Sequence, residues 1–144
     1  IEGINSEDLT PVQSALHEHA GTQCGFCTPG FVVSLTGFSI SNNEINADEA
    51  VNSVAGNICR CTGYKSIERA IFDIVDHLKK VKAQNSLDAL INDKFIPEYF
   101  KSIPQRLKEI QVESSSKKGK IIGGGTDLYV QIPDEMIESD VELF

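Results

Sequence analysis

Long apolar runs are missing from this sequence, and so is a secretion signal. No stretch approaches the roughly 20 apolar residues that a membrane-spanning helix needs, and residues 1–8 have neither the basic start nor the apolar centre of a signal peptide. Basic residues are also few, because 13 Lys and Arg stand against 21 Asp and Glu, for a formal net charge of -8. We therefore expect a cytoplasmic protein that binds neither a membrane nor nucleic acid, whose phosphates require clustered basic side chains.

The overall composition is that of a globular protein. Hydrophobic residues make up 40% of the 144 positions and charged residues 24%, which is too apolar for a disordered chain. This length accommodates one ordinary domain, or one small domain with part of another. Because the chain begins at Ile1 without an initiator Met, we expect it to be cut from a longer polypeptide.

Helix signals dominate the sequence before Lys82. Four helices are predicted there, each with a start signal and with apolar residues at helical spacing, and the starts are Thr10, Thr28, Asn46 and Ser66. Glycines are expected to end the first helix near Ala20 and Gly21 and the third at Gly56. The second helix is apolar on nearly every side, as is typical of a helix in the middle of a bundle. The predicted fold class is mainly α, with a four-helix bundle over residues 1–82.

The rest of the chain is less regular. Residues 83–118 are predicted to form a packed connector with two short helices, near Pro97 and Pro104, and residues 112–119 to form a polar surface loop. Residues 120–122 then have the pattern of a strand that leads into a glycine-rich segment. Residues 119–144 are therefore expected to begin a second domain that is cut short.

The four cysteines form two closely spaced pairs, Cys24 with Cys27 and Cys59 with Cys61, each in a loop that leads into a helix. A disulfide framework would suit a small secreted domain, but this bundle has enough apolar surface to fold without one and carries no secretion signal. Structural zinc is an alternative, although most zinc modules have C-x2-C rather than C-x-C as their second pair. A 2Fe-2S cluster fits best, since it takes four thiolates, two for each iron.

Each cysteine pair is predicted to hold one iron. Residues i and i+2 of an extended loop project to the same side, so Cys59 and Cys61 can bind one iron while Arg60 points away. Helices that start after Thr28 and Lys65 would turn backbone N–H groups toward the anionic cluster. Hydrogen bonds of this kind help to set the reduction potential of an iron-sulfur cluster.

The residues around the cysteines resemble a known family. Residues 23–30, QCGFCTPG, and residues 56–64, GNICRCTGY, are similar to the double signature of the 2Fe-2S-binding helical domain in molybdenum hydroxylases, which include xanthine dehydrogenases and aldehyde oxidoreductases. The similarity covers about residues 9 to 80. Residues 1–8 resemble the tail of the ferredoxin-like 2Fe-2S domain that precedes this one in the family. The four cysteines of that preceding domain are absent from this sequence.

The resemblance implies a role in electron transfer. The cluster would pass electrons from a molybdenum-pterin cofactor, held by another domain or subunit, to the ferredoxin-type cluster and then to FAD. Its ligands would be Cys24, Cys27, Cys59 and Cys61, with Gln23 and Cys61 next to the pterin edge. A hetero-oligomer is expected, with no catalytic residue in this chain. The xanthine dehydrogenase branch, with purine hydroxylation, is the favoured assignment, and an aldehyde oxidoreductase or another molybdenum hydroxylase is the alternative.

Three adjacent glycines follow the predicted strand. Residues 121–128, IIGGGTDL, lack the G-x-G-x-x-G spacing of a Rossmann fold, and a glycine-rich turn without a nucleotide is at least as common as one with it. Placed after the cluster signature, the segment resembles the pyrophosphate-binding loop at the start of the α+β FAD-binding domain in the same enzymes. The residues expected to contact FAD are Gly123, Gly124, Gly125, Thr126 and Asp127. Iron-sulfur and FAD domains on one polypeptide favour the xanthine dehydrogenase branch.

Two hypotheses of other classes stay open. One is a zinc-stabilised interaction module without a redox role, and the other is a fragment that folds without metal. Colour separates them from an iron-sulfur protein, because a 2Fe-2S protein is red-brown and the other two are colourless. His17, His19 and His77 lie on predicted helices without the spacing of metal ligands, so we expect them to be ordinary exposed or partly buried helix residues.

Overall fold

A computed structural model describes residues 1–5, 7–41, 44–82, 87–110, 120–122, 124–138 and 141–143. The chain divides into two compact units, Ile1–Leu107 and Lys108–Phe144, which are described separately below. The first unit is helical, as predicted for the fold class. None of the helices in these ranges has both the length and the apolar character that a membrane-spanning segment requires.

The first helix, α1, spans Pro11–Glu18 and begins with the predicted cap. The Thr10 side chain accepts a hydrogen bond from the Gln13 N–H, and the Gln13 side chain accepts one from the Thr10 N–H, so two backbone donors that would lack partners are satisfied. The helix ends earlier than predicted. Ala20, rather than Gly21, takes the left-handed backbone conformation with φ of 53°, while the Gly21 N–H bonds back to the Leu16 carbonyl.

Three further helices complete the bundle. They are α2 over Thr28–Ile40, α3 over Ala47–Ser53 and α4 over Lys65–Lys82. The predicted cap of α3 is present, because the Asn46 side chain accepts from the Glu49 N–H at 2.8 Å. This helix gives way to a turn at Val54, before Gly56, where it was expected to stop. All three helices thus begin within one residue of their predicted positions.

The core of the first unit lies between the four helices. Helix α4 packs against α1 and α3, and α2 packs against the same two helices. The largest fully buried side chains of this bundle include Leu16, Phe31, Leu35, Ile71 and Ile74. Burying each such side chain contributes about 1.5 to 3 kcal/mol. Helix α2 is less enclosed than its sequence predicts, because Val33 on one side is 49% exposed.

The connector adds to the same core. Helix α5 spans Leu87–Asn92 and packs on α4 through the buried Ala89 and Leu90. A 3-10 helix, Glu98–Ser102, follows Pro97, and α6 covers Ile103–Glu109. The two helices predicted near the prolines are therefore present, whereas α5 had not been predicted. It has fewer than two turns, so sequence periodicity could not reveal it.

The second unit contains a small parallel sheet. Strand β1, Lys120–Ile122, was predicted, and it pairs in parallel with β2, Val141–Leu143. Two short helices lie between the strands, α7 over Thr126–Gln131 and α8 over Pro133–Glu138. A parallel pair requires such a crossover connection. The loop predicted over residues 112–119 lies outside the described residues.

Candidate metal centre

The two cysteine loops meet at the N-termini of α2 and α4. Cys27 is the residue immediately before α2, and the second loop leads directly into α4 at Lys65. Cys24 Sγ and Cys61 Sγ lie 3.4 Å apart, and the thiols of Cys27 and Cys59 hydrogen-bond to each other. All four are free thiols. The fold therefore brings together the four side chains that the sequence singles out as ligands.

The close sulfur contacts cross between the loops. Each contact joins one cysteine of the first loop to one of the second, Cys24 to Cys61 and Cys27 to Cys59. Two thiolates on one tetrahedral metal, each about 2.3 Å from it, lie about 3.8 Å apart, which is close to the separation of the Cys24 and Cys61 sulfur atoms. One iron could therefore bind both Cys24 and Cys61, one cysteine from each loop. Helix packing, not sequence spacing, decides which sulfur atoms meet.

The four thiols make two contacts between the loops, Cys24 with Cys61 and Cys27 with Cys59. In the part of the chain that the structure describes, no three or more His, Cys, Asp or Glu side chains gather in a way that could hold one metal ion. Two separate pairs of thiols match the needs of a binuclear cluster, because each of its irons takes two protein thiolates. The donor set therefore fits a 2Fe-2S cluster.

Burial differs between the two sulfur pairs. Cys59 is buried, with only 6% of its surface exposed, and Cys27 is partly buried. Cys24 and Cys61 are both exposed, and the neighbouring Phe26 is 93% exposed. A cluster held by these four sulfur atoms would be sheltered on the Cys27 and Cys59 side and open on the Cys24 and Cys61 side.

Hydrogen bonds shift the pKa values of the exposed pair in opposite directions. The Phe26 N–H and the Cys61 thiol donate to Cys24 Sγ, and together they lower the pKa of Cys24. The same contact raises the pKa of Cys61, because Cys61 is the donor. The contact therefore stabilises the thiolate of Cys24 relative to that of Cys61.

The sheltered pair has a different environment. Hydrogen bonds from Thr62 lower the pKa of Cys59 to about 7. The Thr62 hydroxyl has the larger effect and the Thr62 N–H the smaller one, while burial acts in the opposite direction. Burial and the hydrogen bond to Cys59 raise the pKa of Cys27. Donors already aimed at sulfur are what an anionic thiolate cluster requires of the protein around it.

Three residues of the second loop form a closed set of hydrogen bonds. The Cys59 N–H donates to Tyr64 Oη at 3.0 Å, and the Tyr64 N–H donates to Thr62 Oγ1 at 3.1 Å. Thr62 Oγ1 in turn lies 3.2 Å from Cys59 Sγ. Tyr64 has a φ of 66°, a left-handed conformation that costs about 1 kcal/mol or more for a residue with a side chain. Neither Thr62 nor Tyr64 was predicted from the sequence as a site residue, although a hydroxyl one position after a ligand is a signal that points to Thr62.

The Asn57 side chain links the second cysteine loop to α2 by a hydrogen bond. Its side-chain N–H2 group donates to Ser34 Oγ at 2.9 Å, and its Oδ1 lies where a Cβ on Gly30 would be, at only 2.4 Å. Glycine at position 30 therefore allows the Asn57 side chain to lie against the first turn of α2. This contact joins the second cysteine loop to the helix that follows the first cysteine loop.

The remaining candidate residues lie outside this set of contacts. Gln23 is exposed, directly before Cys24. His19 Nε2 lies 2.5 Å from a carboxylate oxygen of Asp73, and His77 Nε2 lies 2.6 Å from one of Asp93. His17 is exposed on α1.

The glycine-rich segment lies in the second unit. Gly124 and Gly125 both have positive φ values, 71° and 67°, in the turn that joins β1 to α7. Thr126 and Asp127 are exposed in the first turn of α7. Gly123, which was also predicted to contact FAD, lies outside the described residues.

Four thiols in two contacting pairs, with N–H and O–H donors aimed at sulfur, define a helical domain that binds a 2Fe-2S cluster. Comparison with known proteins agrees: residues 1–72, half of the chain, match the model of the 2Fe-2S binding domain. The chain belongs to this family, members of which occur in molybdenum hydroxylases.

Several relatives are oxidoreductases or their subunits. The nicotine 6-hydroxylase small subunit of Paenarthrobacter nicotinovorans is 40% identical over 73 residues, which cover 51% of this chain and 44% of that subunit. The xanthine dehydrogenase/oxidase of Rattus norvegicus is 46% identical over 68 residues, which cover 46% of this chain and 5% of that protein. A probable subunit of a xanthine dehydrogenase from Bacillus subtilis is 40% identical over 70 residues, which cover 49% of this chain and 40% of that protein. The matched region therefore spans less than half of each relative.

A solved structure is also similar. Quinoline 2-oxidoreductase from Pseudomonas putida 86 is 33% identical in sequence, and the match covers 55% of this chain and 51% of that one, with a TM-score of 0.47.

Proposed function

We propose that this chain is the electron-transfer part of a xanthine dehydrogenase-type molybdenum hydroxylase. The observation that carries the proposal is the meeting of the two cysteine loops in cross-loop sulfur pairs, Cys24 with Cys61 and Cys27 with Cys59. When bound, a 2Fe-2S cluster supplies a one-electron acceptor and donor. The protein holds the four thiolates, and its N–H and O–H donors stabilise their charge.

The exposed sulfur pair supports a direction for electron transfer. Cys24 and Cys61 are accessible from outside the domain, whereas Cys59 is enclosed by the bundle. A partner cofactor would therefore approach the Cys24 and Cys61 side. By family resemblance the partner there is the molybdenum-pterin cofactor of another domain or subunit, and Gln23, exposed beside Cys24, would contact the pterin edge.

The domain boundaries remain part of the proposal. Residues 1–82 would be the cluster-binding domain, with residues 1–8 as the tail of a ferredoxin-like domain, residues 83–118 a connector and residues 119–144 the start of an FAD-binding domain. The turn formed by Gly124 and Gly125 supports this last assignment, because left-handed glycines before a helix leave backbone N–H groups accessible to phosphate oxygens. The complete enzyme would be a cytoplasmic hetero-oligomer.

The names of the relatives support a class of substrate for the whole enzyme. The reported relatives are named for nicotine and xanthine, both nitrogen heterocycles, and aldehyde oxidase 1 of Cavia porcellus, 45% identical over 69 residues, is named for aldehydes. Hydroxylation of a nitrogen heterocycle such as a purine is the reaction that we assign to the whole enzyme, with oxidation of an aldehyde as the alternative.

Anaerobic reconstitution of the full chain with ferrous iron and sulfide tests the proposal. We expect a red-brown protein that dithionite bleaches and ferricyanide restores, over repeated cycles without loss of iron. Replacing Cys24, Cys27, Cys59 or Cys61 singly by Ser should reduce the iron content severalfold. A colourless chain that binds one zinc instead would show that the site is a structural zinc module and would contradict the proposal.

A further inference from the structure

The hydroxyl of Thr62 has two neighbours in the second cysteine loop. The Tyr64 N–H lies 3.1 Å from Thr62 Oγ1, and Cys59 Sγ lies 3.2 Å from the same oxygen. Thr62 itself is partly buried and Cys59 is buried. Burial of the sulfur limits the access of water to the hydrogen bond at Cys59.

The chemistry of the three groups determines which of them donates. A backbone N–H can only donate, so Thr62 Oγ1 must accept from Tyr64. The single hydrogen of the hydroxyl then remains for Cys59 Sγ. A cysteine that binds a metal has lost its proton, so its sulfur can only accept. When Cys59 binds a metal, the Thr62 hydroxyl is therefore the donor of this hydrogen bond.

A third hydrogen bond joins two of the same residues. The Cys59 N–H donates to Tyr64 Oη at 3.0 Å, and Tyr64 has a left-handed backbone conformation with φ of 66°. In that conformation the Tyr64 N–H points at the Thr62 hydroxyl. The three hydrogen bonds therefore form a closed cycle that begins and ends at Cys59.

We propose that Thr62 is a positioning residue that raises the reduction potential of the bound cluster by donating a hydrogen bond to Cys59 Sγ. This inference rests on the proposed function, since it requires a cluster on these cysteines. The reduced cluster carries one more negative charge than the oxidised cluster, so a donor to a ligand sulfur stabilises the reduced state more. Removing the donor should make the cluster harder to reduce.

Replacement of the hydroxyl in the full reconstituted chain tests the proposal. Thr62→Val keeps the shape of the side chain and removes the donor, and Thr62→Ser keeps the donor. The control is Thr36→Val, which removes a buried hydroxyl from α2 that has no hydrogen-bond partner among the described residues. The midpoint potential of each variant is measured by a redox titration followed in the visible spectrum, with no assay of enzyme activity.

We expect the equilibrium constant for reduction to fall about tenfold in Thr62→Val, which is a shift of about 59 mV to more negative potential. Thr62→Ser should restore most of the shift, and Thr36→Val should not move the potential. If Thr62→Val binds too little cluster to titrate, Thr62→Ala compared with Thr62→Ser gives the same contrast between absence and presence of the donor. A potential in Thr62→Val or Thr62→Ala equal to that of the unmodified chain would overturn the proposal. Failure of the unmodified chain itself to bind a cluster would instead overturn the proposed function.

Discussion

The sulfur atoms of Cys24 and Cys61 lie 3.4 Å apart although 37 positions separate the two residues in the sequence. The contact depends on the ends of two helices, because Cys24 lies in the loop before α2 and Cys61 in the loop before α4. Neither loop could set this distance alone. The helical bundle therefore acts as the frame that brings the sulfur ligands together.

This contact makes the two exposed cysteines chemically unequal in the metal-free chain. The pKa of Cys24 is lowered by the Phe26 N–H and the Cys61 thiol, while the pKa of Cys61 is raised. Thiolates, not thiols, react with alkylating agents. As the pH rises, Cys24 should therefore become reactive toward iodoacetamide at a lower pH than Cys61, and mass spectrometry of the digested chain would measure both rates. Equal rates at every pH, or a faster Cys61, would contradict the assigned direction of the hydrogen bond.

Gly30 and Gly37 provide a matched pair of substitutions in α2. A Cβ at position 30 would lie 2.4 Å from Asn57 Oδ1, whereas a Cβ at position 37 would meet nothing within 4 Å. Gly37→Ala should stabilise the chain by about 0.5 to 1 kcal/mol, the usual gain from alanine in a helix. Gly30→Ala should lose this gain and bind less iron, because Asn57 must move away from Ser34 and release the second cysteine loop.

Urea denaturation and iron analysis of the reconstituted Gly30→Ala and Gly37→Ala variants measure both effects. Iron binding by Gly37→Ala should match that of the unmodified chain. If the two variants proved equally stable and equally loaded with iron, the contact between Gly30 and Asn57 would have no part in holding the loops.

The Thr36 hydroxyl is a buried group without a hydrogen-bond partner in the described part of the chain. Leaving a polar group unpaired in the core costs about 1 to 3 kcal/mol. Thr36→Val should therefore raise the free energy of unfolding, by about 1 kcal/mol once the differences in packing are allowed for. Urea unfolding of the reconstituted chain would show the increase, with Thr10→Val as a contrasting variant that should destabilise α1 by removing its cap. A loss of stability in Thr36→Val would mean that the hydroxyl has a partner.

FAD should bind poorly to this chain. Under the proposed function, Gly124 to Asp127 supply one wall of the flavin site, and the other contacts come from the rest of an FAD-binding domain. Titration of FAD followed by its fluorescence should show no binding at micromolar concentrations. Micromolar affinity for the isolated chain would place more of the flavin site within these residues than we propose.

Local sequence signals predict the helical frame well. The Thr10 and Asn46 side chains each accept a hydrogen bond from the residue three positions later. Because both partners are close in the sequence, the sequence alone reveals these caps. The end of α1 was less predictable, because alanine rather than glycine adopts the left-handed conformation at position 20. Helix α5 depends on burial against α4 more than on its own periodicity, and tertiary packing of this kind is not visible in a short segment.

The sequence pattern singles out the four cysteines but does not specify their contacts. The spacing of the four cysteines indicates a cluster, yet it also suggested that each loop holds its own iron. The contact of Cys27 with Cys59 arises from the packing of the bundle. The Thr62 hydroxyl lies 3.2 Å from the sulfur of Cys59, and Gly63 and Tyr64 directly after it both have left-handed conformations. A motif of residue types specifies neither feature.

Electron paramagnetic resonance of the reconstituted, dithionite-reduced chain tests the central claim most directly. A reduced 2Fe-2S cluster has one unpaired electron shared by two antiferromagnetically coupled irons. We expect a signal that integrates to about one spin for every two irons, with about two irons and two sulfides bound to each chain. The same signal should be absent from Cys59→Ser, which lacks the buried ligand. A chain that binds iron without such a signal, or that binds it equally well without Cys59, would contradict the account.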